Sequence, residues 1–305
     1  MTLRWNGKPF DWVNVTYFGV IHALAVTAFW NFTWQGLGLM LFFYWLSASI
    51  GICFTYHRLL THRGFNVSKP FEYFFTFCGM LASEGGAISW VAMHRMHHQY
   101  SDRPQKDLHT PKDGFWWSHL GWIICKLGNN RREMEAKWAP EMVADPVHVW
   151  MNKLHIYPNI FLGLGLFALG GWSYVSWGIF LRLVVNLHAT WFVNSAAHTW
   201  GYRTYDTPEG STNLWWVGLV AWGEGWHNNH HAFQRSARHG LEWWELDLTW
   251  WTIRALSAVG VVRNIQLVPA NAAQFRLDKR AAAAAAAALT ASAPSLAELP
   301  TADVA

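Results

Sequence analysis

From Trp12 to Tyr56 the chain contains no Asp, Glu, Lys or Arg. Such a stretch is long enough for two helices of about 20 residues, each able to cross a hydrocarbon core of roughly 30 Å. The run Gln35-Gly36-Leu37-Gly38 supplies a turn between them, which places spans at about 13–33 and 37–57. A second uncharged region runs from Leu154 to Tyr202, broken only by Arg182, with Gly170, Gly171 and Gly178 near its middle. It divides into spans at about 156–175 and 178–199. The expected fold is therefore all-α and integral to the membrane: four transmembrane helices in two hairpins under a helical cap formed by 58–155 and 200–280. Composition agrees, because charged residues make up only 14% of the chain against the rough quarter found in soluble domains. The 23 Trp residues suit a protein with wide membrane interfaces.

Loop charge sets the orientation. The short turns hold no Lys or Arg, whereas the segment from Arg58 to Lys153 holds many, so both termini and the cap are expected on the cytoplasmic side. A net charge of +4 and a pI near 9.0 come from scattered basic residues with no basic helix, which points to an anionic membrane surface and away from nucleic acid. Cys53, Cys78 and Cys125 lie far apart and read as buried thiols. The charged N-terminus lacks a small-residue cleavage site, so no removable signal is expected. Two further apolar stretches, Phe71 to Met93 and Asn213 to Trp226, carry Glu72, Glu84 and Glu224 and suit interfacial helices. Residues 1–280 form one membrane domain. The remainder, 281–305, opens on eight consecutive alanines and reads as a low-complexity, disordered tail.

Nine of the 16 histidines fall in four places: His57 and His62; His94, His97 and His98; His198; and His227, His230 and His231. Positions i, i+3 and i+4 share a helical face, so each of the two triplets presents three imidazoles to one side. His57 and His62 are five apart and diverge on a continuous helix, which implies that the second span ends between them, near Leu59 to Thr61. Asn194 stands four residues before His198. Nine imidazoles exceed what one ion takes, and two ions with four or five ligands each is the natural division, with Asn194 available to hold a bound water. Imidazole suits iron, copper, zinc and nickel alike, so ligand type leaves the metal open. Ligating imidazoles usually donate their second N–H to a carboxylate or carbonyl; Glu224, three residues before His227 and on its face, and Asp102 and Asp107 after the second box, are candidates.

The stretches His57-Arg58-Leu59-Leu60-Thr61-His62-Arg63, His94-Arg95-Met96-His97-His98 and Gly223-Glu224-Gly225-Trp226-His227-Asn228-Asn229-His230-His231 closely resemble the histidine boxes of the membrane fatty-acid desaturases. Asn194-Ser195-Ala196-Ala197-His198 is similar to the fourth motif of their Δ9, or stearoyl, branch. The likeness extends from about Leu41 to Gly260. It implies a di-iron, non-haem centre bound by the nine histidines with a water held by Asn194, O2 as co-substrate, a bent apolar tunnel for an acyl chain and a cis double bond, at Δ9, as product. Acyl-CoA members commonly place Arg-Asp just before the second box, where this chain has Ala92-Met93. That departure favours an acyl chain esterified to a membrane glycerolipid, with acyl-CoA or another acyl thioester as the alternative.

An unactivated methylene has no acidic proton, so oxygen chemistry at a cofactor is needed to remove its hydrogens. Two electrons must come from outside. With no haem-binding motif and no cysteine cluster in the chain, a separate ferredoxin, or a cytochrome b5 with its reductase, is the expected donor. Trp90, Trp191, Trp222 and Trp226 are candidates for the tunnel lining, with interfacial anchoring or core packing as the alternative for each. Arg182 is either functional, as intramembrane charges often are, or snorkels to the interface, and His188 reads as a hydrogen-bonded core residue outside the ligand set. A hydroxylase or ketolase could use the same centre. A metal or haem transporter would line its spans with ligands at mid-membrane depth, whereas these ligands gather at one end of the spans.

Overall fold

The computed structural model describes residues 3–128 and 130–276; the alanine run and the tail beyond it lie outside them. The described chain is helical apart from a small β ribbon, Arg4–Trp5 paired antiparallel with Lys8–Pro9, an exception to the all-α expectation. Asn6 and Gly7 turn it with φ of 48° and 72°, the left-handed pair that a two-residue hairpin demands. The ribbon is tied to the cap by Asp11 N–H to the Ile124 carbonyl (2.8 Å) and Lys126 N–H to the Pro9 carbonyl (2.9 Å). Asp11 then caps the first apolar helix, accepting from the backbone of Val13 at 3.1 Å.

Among the described residues, three helical stretches are long and apolar enough to cross a membrane: Trp12–Trp30, Trp34–Thr61 and Tyr157–His198. The turn between the first two falls at Asn31 to Thr33 and not at Gln35 to Gly38. Thr33 is the reason, because its hydroxyl accepts the Gly36 N–H at 3.0 Å and starts the helix there. The second stretch runs on to Thr61, beyond the approximate span limit of 57 and within the Leu59 to Thr61 region where the histidine spacing ends it. In the third, Gly170 and Gly171 leave helical geometry, Gly171 with φ of 62°. A straight helix would hold Leu166 and Gly178 about 18 Å apart, yet the Leu166 side chain lies against Gly178. The chain has therefore folded back on itself at the glycine pair. Trp30, Trp34, Leu164, Phe167 and Leu169 stand largely exposed on these helices, an apolar surface that water does not tolerate at this extent; this is a membrane protein.

Arg182 neither snorkels nor reaches the histidines. Its side chain is wholly buried and donates to the carbonyls of Gly178 and Leu81 and to Asn159 Oδ1 at 2.7 Å. Leu81 follows the helix Lys69–Met80, so a cation sits where the carbonyl ends of that helix need one.

The apolar stretch from Phe71 to Met93 is two helices, Lys69–Met80 and Ala87–Tyr100. The first lies against the end of the long second helix, where Gly51 and Gly79 let the backbones touch: a methyl on Gly51 would stand 2.5 Å from the Gly79 Cα. Ile50, Phe54, Tyr56 and Leu59 pack there with Phe75, Cys78, Ile88 and Val91. Asn213 to Trp226 holds only the short helix Trp215–Val220. This packing carries the histidine-bearing segments to one end of the apolar helices.

Candidate metal centre

From Trp45 to Thr61 the second helix is wound with i→i+5 hydrogen bonds. The hydroxyls of Thr55 and Thr61 reach back five residues to the carbonyls of Ile50 (2.6 Å) and Tyr56 (2.7 Å), and the His62 N–H reaches the His57 carbonyl at 3.1 Å. An α-helix would set residues five apart about 140° from each other. In the wider winding five residues nearly close one turn, so His57 and His62 share a face with ring centres 4.8 Å apart. The helix ends at Thr61, between the two histidines as expected, with His62 as its cap; what the sequence did not show is the wider winding that puts them on one face. Such winding is rare and is found mostly at functional sites.

The other boxes are built on α geometry. His94, His97 and His98 lie on Ala87–Tyr100, His227, His230 and His231 on the short helix His227–Ala232, and His198 ends the tight turn Ala196–His198. Donor nitrogens gather in two groups, each within 4.8 Å: His57, His62, His94, His98 and His230 in one; His97, His198, His227 and His231 in the other. Each triplet is thus divided, contrary to the expectation that it faces one object. The i, i+4 pair His94 and His98 joins the first group while His97 crosses to the second; the pair His227 and His231 joins the second while His230 crosses to the first. Two helices therefore hold both groups together.

The donor set fits two metal ions. Within the groups, Nε2 atoms stand close: His94 to His98, His98 to His230, His198 to His227 and His227 to His231 are each 3.0 Å. Two nitrogens at that separation, each about 2.1 Å from a shared ion, subtend close to a right angle there. The opposite ring nitrogens meet carboxylates. His57 Nδ1 lies 2.7 Å from Glu224, His97 Nδ1 3.0 Å from Asp107, and His198 Nδ1 3.0 Å from Asp102. Carboxylates at Nδ1 hold the proton there and leave the Nε2 lone pairs facing inward. Burial, then the neighbouring imidazoles, keeps His94, His98, His230 and His231 well below the usual histidine range, in the neutral form that binds metal. Burial opposes ionisation of Asp102, but His198 and the Gly210 N–H outweigh it and hold its carboxyl at about 2.

All three carboxylates chosen from the sequence face histidines, though Glu224 serves a different one. The third-box helix begins only at His227, and Gly223 has a φ of 113°, so Glu224 turns away from His227 and reaches His57.

A family profile described as fatty acid desaturase matches residues 28–264. The chain belongs to the fatty acid desaturase family. It is 48% identical over 270 residues to an sn-1 stearoyl-lipid 9-desaturase of Anabaena variabilis, covering 88% of this chain and 98% of that one. It is 45% identical to an sn-2 palmitoyl-lipid 9-desaturase of Nostoc sp. (strain 36), over 88% of this chain and 95% of that one. An icosanoyl-CoA 5-desaturase of Limnanthes douglasii is 41% identical over 92% of this chain and 78% of its own. The protein is thus an oxidoreductase.

Several residues of this desaturase that matter to the site were not singled out from its sequence. Arg58 is fully buried and links the first box to two distant segments: its Nε lies 3.1 Å from Glu224 Oε1, and Nη1 donates to Asp247 (2.9 Å) and to the Ala237 carbonyl (2.8 Å). Arg95 donates to the carbonyls of Leu60 (2.8 Å) and Thr61 (3.2 Å), satisfying the free end of the first-box helix. The arginine after the first histidine of each of these two boxes is the signal that could have found them. Glu209, 3.5 Å from His231 Nδ1, and His239, 3.0 Å from Glu224, lie outside every motif. His188 belongs to neither donor group; its nitrogens lie 3.0 Å from His22 Nε2 and 2.9 Å from His119 Nε2.

Beside the two groups opens a largely apolar cavity lined by Ala48, Ile52, Trp90, Val193, Asn194 and Trp222 and bordered by His57, His94 and His227. Trp90 stacks on His94 at 4.9 Å. Of the four candidate tunnel aromatics, Trp90 and Trp222 line this cavity. Trp191 instead packs against Phe18, His119 and His188, and Trp226 lies over Gly218 with its indole N–H on the Leu246 carbonyl at 2.9 Å. Trp90 and Thr190 of the cavity lining both reach Glu84, which accepts from Thr190 (2.7 Å), Asn186 (2.8 Å) and the Trp90 indole (3.1 Å). Burial pushes its carboxyl up to about 7.

Proposed function

We propose that this desaturase introduces a cis double bond at Δ9 into a saturated acyl chain esterified to a membrane glycerolipid. The observation that carries the reading is the apolar cavity bordered by histidines of both donor groups, which would bring a methylene pair beside two metal ions. In the balanced reaction the –CH2–CH2– unit, O2, two electrons and two protons give –CH=CH– and two waters. Iron held by the nine histidines would supply the O2 activation that no side chain can. The protein's part is placement: Trp90, Trp222 and Val193 hold the chain, and Asn194, at the cavity wall, holds a water beside the four-histidine group. Glu224, Asp102 and Asp107 keep their imidazoles in the metal-binding tautomer.

The relatives' names support position and carrier, since the stearoyl-lipid and palmitoyl-lipid enzymes are both 9-desaturases. Ala92-Met93 before the second box agrees with a lipid-bound substrate. The acyl-CoA alternative is favoured by the icosanoyl-CoA relative. The reading includes four membrane spans, two from the first two apolar helices and two from the third as it folds back at Gly170 and Gly171. It also places both termini and the centre on the cytoplasmic side and takes electrons from a separate ferredoxin or cytochrome b5.

The test is fatty-acid methyl-ester analysis of a desaturase-deficient host expressing the wild-type chain or His230→Ala, with lipid classes separated first. Δ9 monounsaturated acids appearing first in glycerolipids, and in the wild type alone, are the expected result. Early appearance in acyl-CoA moves the carrier, and hydroxylated or oxo products move the reaction to a hydroxylase or ketolase. No product from folded, iron-loaded protein supplied with several donors overturns the assignment.

A further inference from the structure

His239 lies outside all four histidine motifs, yet its ring is 1% exposed and sits against the first donor group. Its nitrogens stand outside the five-nitrogen cluster and group with Glu224 and His57. His239 Nδ1 is 3.0 Å from Glu224 Oε2, the oxygen that lies 2.7 Å from His57 Nδ1. The other oxygen, Oε1, faces Arg58 Nε and Nη2, each at 3.1 Å. With one oxygen shared by two imidazoles and the other faced by a guanidinium, the plane of the carboxylate is held, and only the equivalent half-turn that exchanges its oxygens keeps these contacts.

The same ring covers a second histidine of that group. Its centre is 4.5 Å from that of His230 at an interplanar angle of 35°, and 5.4 Å from that of His57. Among the described residues, its close ring contacts are with these two histidines and with none of the four-histidine group. Its own backbone is pinned: the His239 N–H donates to Asp247 at 2.8 Å, and its carbonyl accepts from Asn229 at 2.9 Å. Asp247 is in turn held by Arg58 at 2.9 Å.

We propose that His239 is a positioning residue for the ion held by His57, His62, His94, His98 and His230, orienting His57 through Glu224 and His230 through ring contact. This rests on reading the two donor groups as two metal sites. It assigns His239 to one of them alone, so its loss should unbalance the pair. Residues that hold ligating histidines typically change metal affinity by about 10- to 100-fold when removed, and that loss is expected at one site only.

The experiment uses the full-length chain in detergent, stripped of metal and titrated with Co(II), whose visible absorption reports each equivalent bound, together with melting of the metal-free protein. Wild type should take up two equivalents. His239→Ala should weaken one of them about 10- to 100-fold and leave the other unchanged. His239→Gln, which keeps an N–H for Glu224, should recover most of the loss, and His239→Phe, which keeps only the ring, should recover less. Equal weakening of both equivalents with a lower metal-free melting temperature, or no weakening, overturns the proposal. If the alanine variant does not fold, equal Co(II) affinities of the Gln and Phe variants overturn it. A wild type that binds fewer than two equivalents overturns the two-site reading, and the proposal with it.

Discussion

Arg58 and Asp247 are joined at 2.9 Å with both side chains out of solvent, tying the first histidine box to the start of a helix 189 residues later. Asp247 caps that helix, Leu248–Ala258, by accepting from the Trp250 N–H at 2.9 Å. Truncating one member of such a buried pair costs about 3–5 kcal/mol, because a charge is left without its partner; Arg58→Ala strands two, Glu224 and Asp247. That variant is expected to melt at a much lower temperature and to lose metal. Arg58→Lys, which keeps the charge without the fork, should fold and bind metal less tightly. Thermal melts alongside metal content per chain check both.

Asp107 serves the other group of imidazoles. One of its oxygens lies 3.0 Å from His97 Nδ1 and accepts the Asp102 N–H at 2.9 Å. Asp107→Asn keeps the shape and removes the charge that fixes the His97 tautomer. A drop of about 10- to 100-fold in metal affinity or turnover is expected, read by metal titration and by the rate of double-bond formation.

Glu84 gives a pH signature. Its folded carboxyl titrates at about 7, against an ordinary value of 4.5. The folded state therefore holds a proton that the unfolded state has released, and stability falls as pH rises from about 4.5 through 7. Glu84→Gln removes the ionising group and keeps a side chain that can accept from Thr190 and Asn186. The variant should melt above wild type at pH 8, with the gap closing by pH 5; a gap independent of pH would refute this.

Ala48 lines the cavity nine residues before His57 on the same helix, at the end remote from the histidines. Filling that end with Ala48→Phe should turn away the longest acyl chains while leaving the reacting carbons in place. The ratio of 16-carbon to 18-carbon products should rise by roughly tenfold, in line with the 10- to 200-fold that one methylene is worth in an apolar pocket. Methyl-ester profiles of host lipids measure it.

The parts of the centre written in local spacing were legible. Triplets at i, i+3 and i+4 announced two helices, and Asp102 and Asp107 were found because they follow their box closely. What failed depended on winding or on distant packing. The helix end between His57 and His62 was anticipated, but their shared face was not, because an α repeat was assumed and no residue type advertises the wider repeat. Glu224 was chosen for its distance from His227, yet a glycine turn sends it to His57. His239 and Glu209 sit in no motif, and only the fold brings them to the site. Trp191 and Trp226 were candidates as large aromatics, but a large aromatic near the site faces cavity or core with equal ease, and of the four only Trp90 and Trp222 face the cavity. Arg182 read as a charge in lipid because the helix end it neutralises lies about 100 residues earlier.

The ribbon at the start of the chain gives a test of sidedness. Pro9 and Asp11 are bonded to Lys126 and Ile124, in the same cap segment whose Ser118 donates to the Asn194 carbonyl at 3.0 Å. An epitope placed ahead of Arg4 is therefore expected on the same face of the bilayer as the histidines. Antibody access to that epitope, in sealed and in opened vesicles, reports from which compartment the centre draws its electrons.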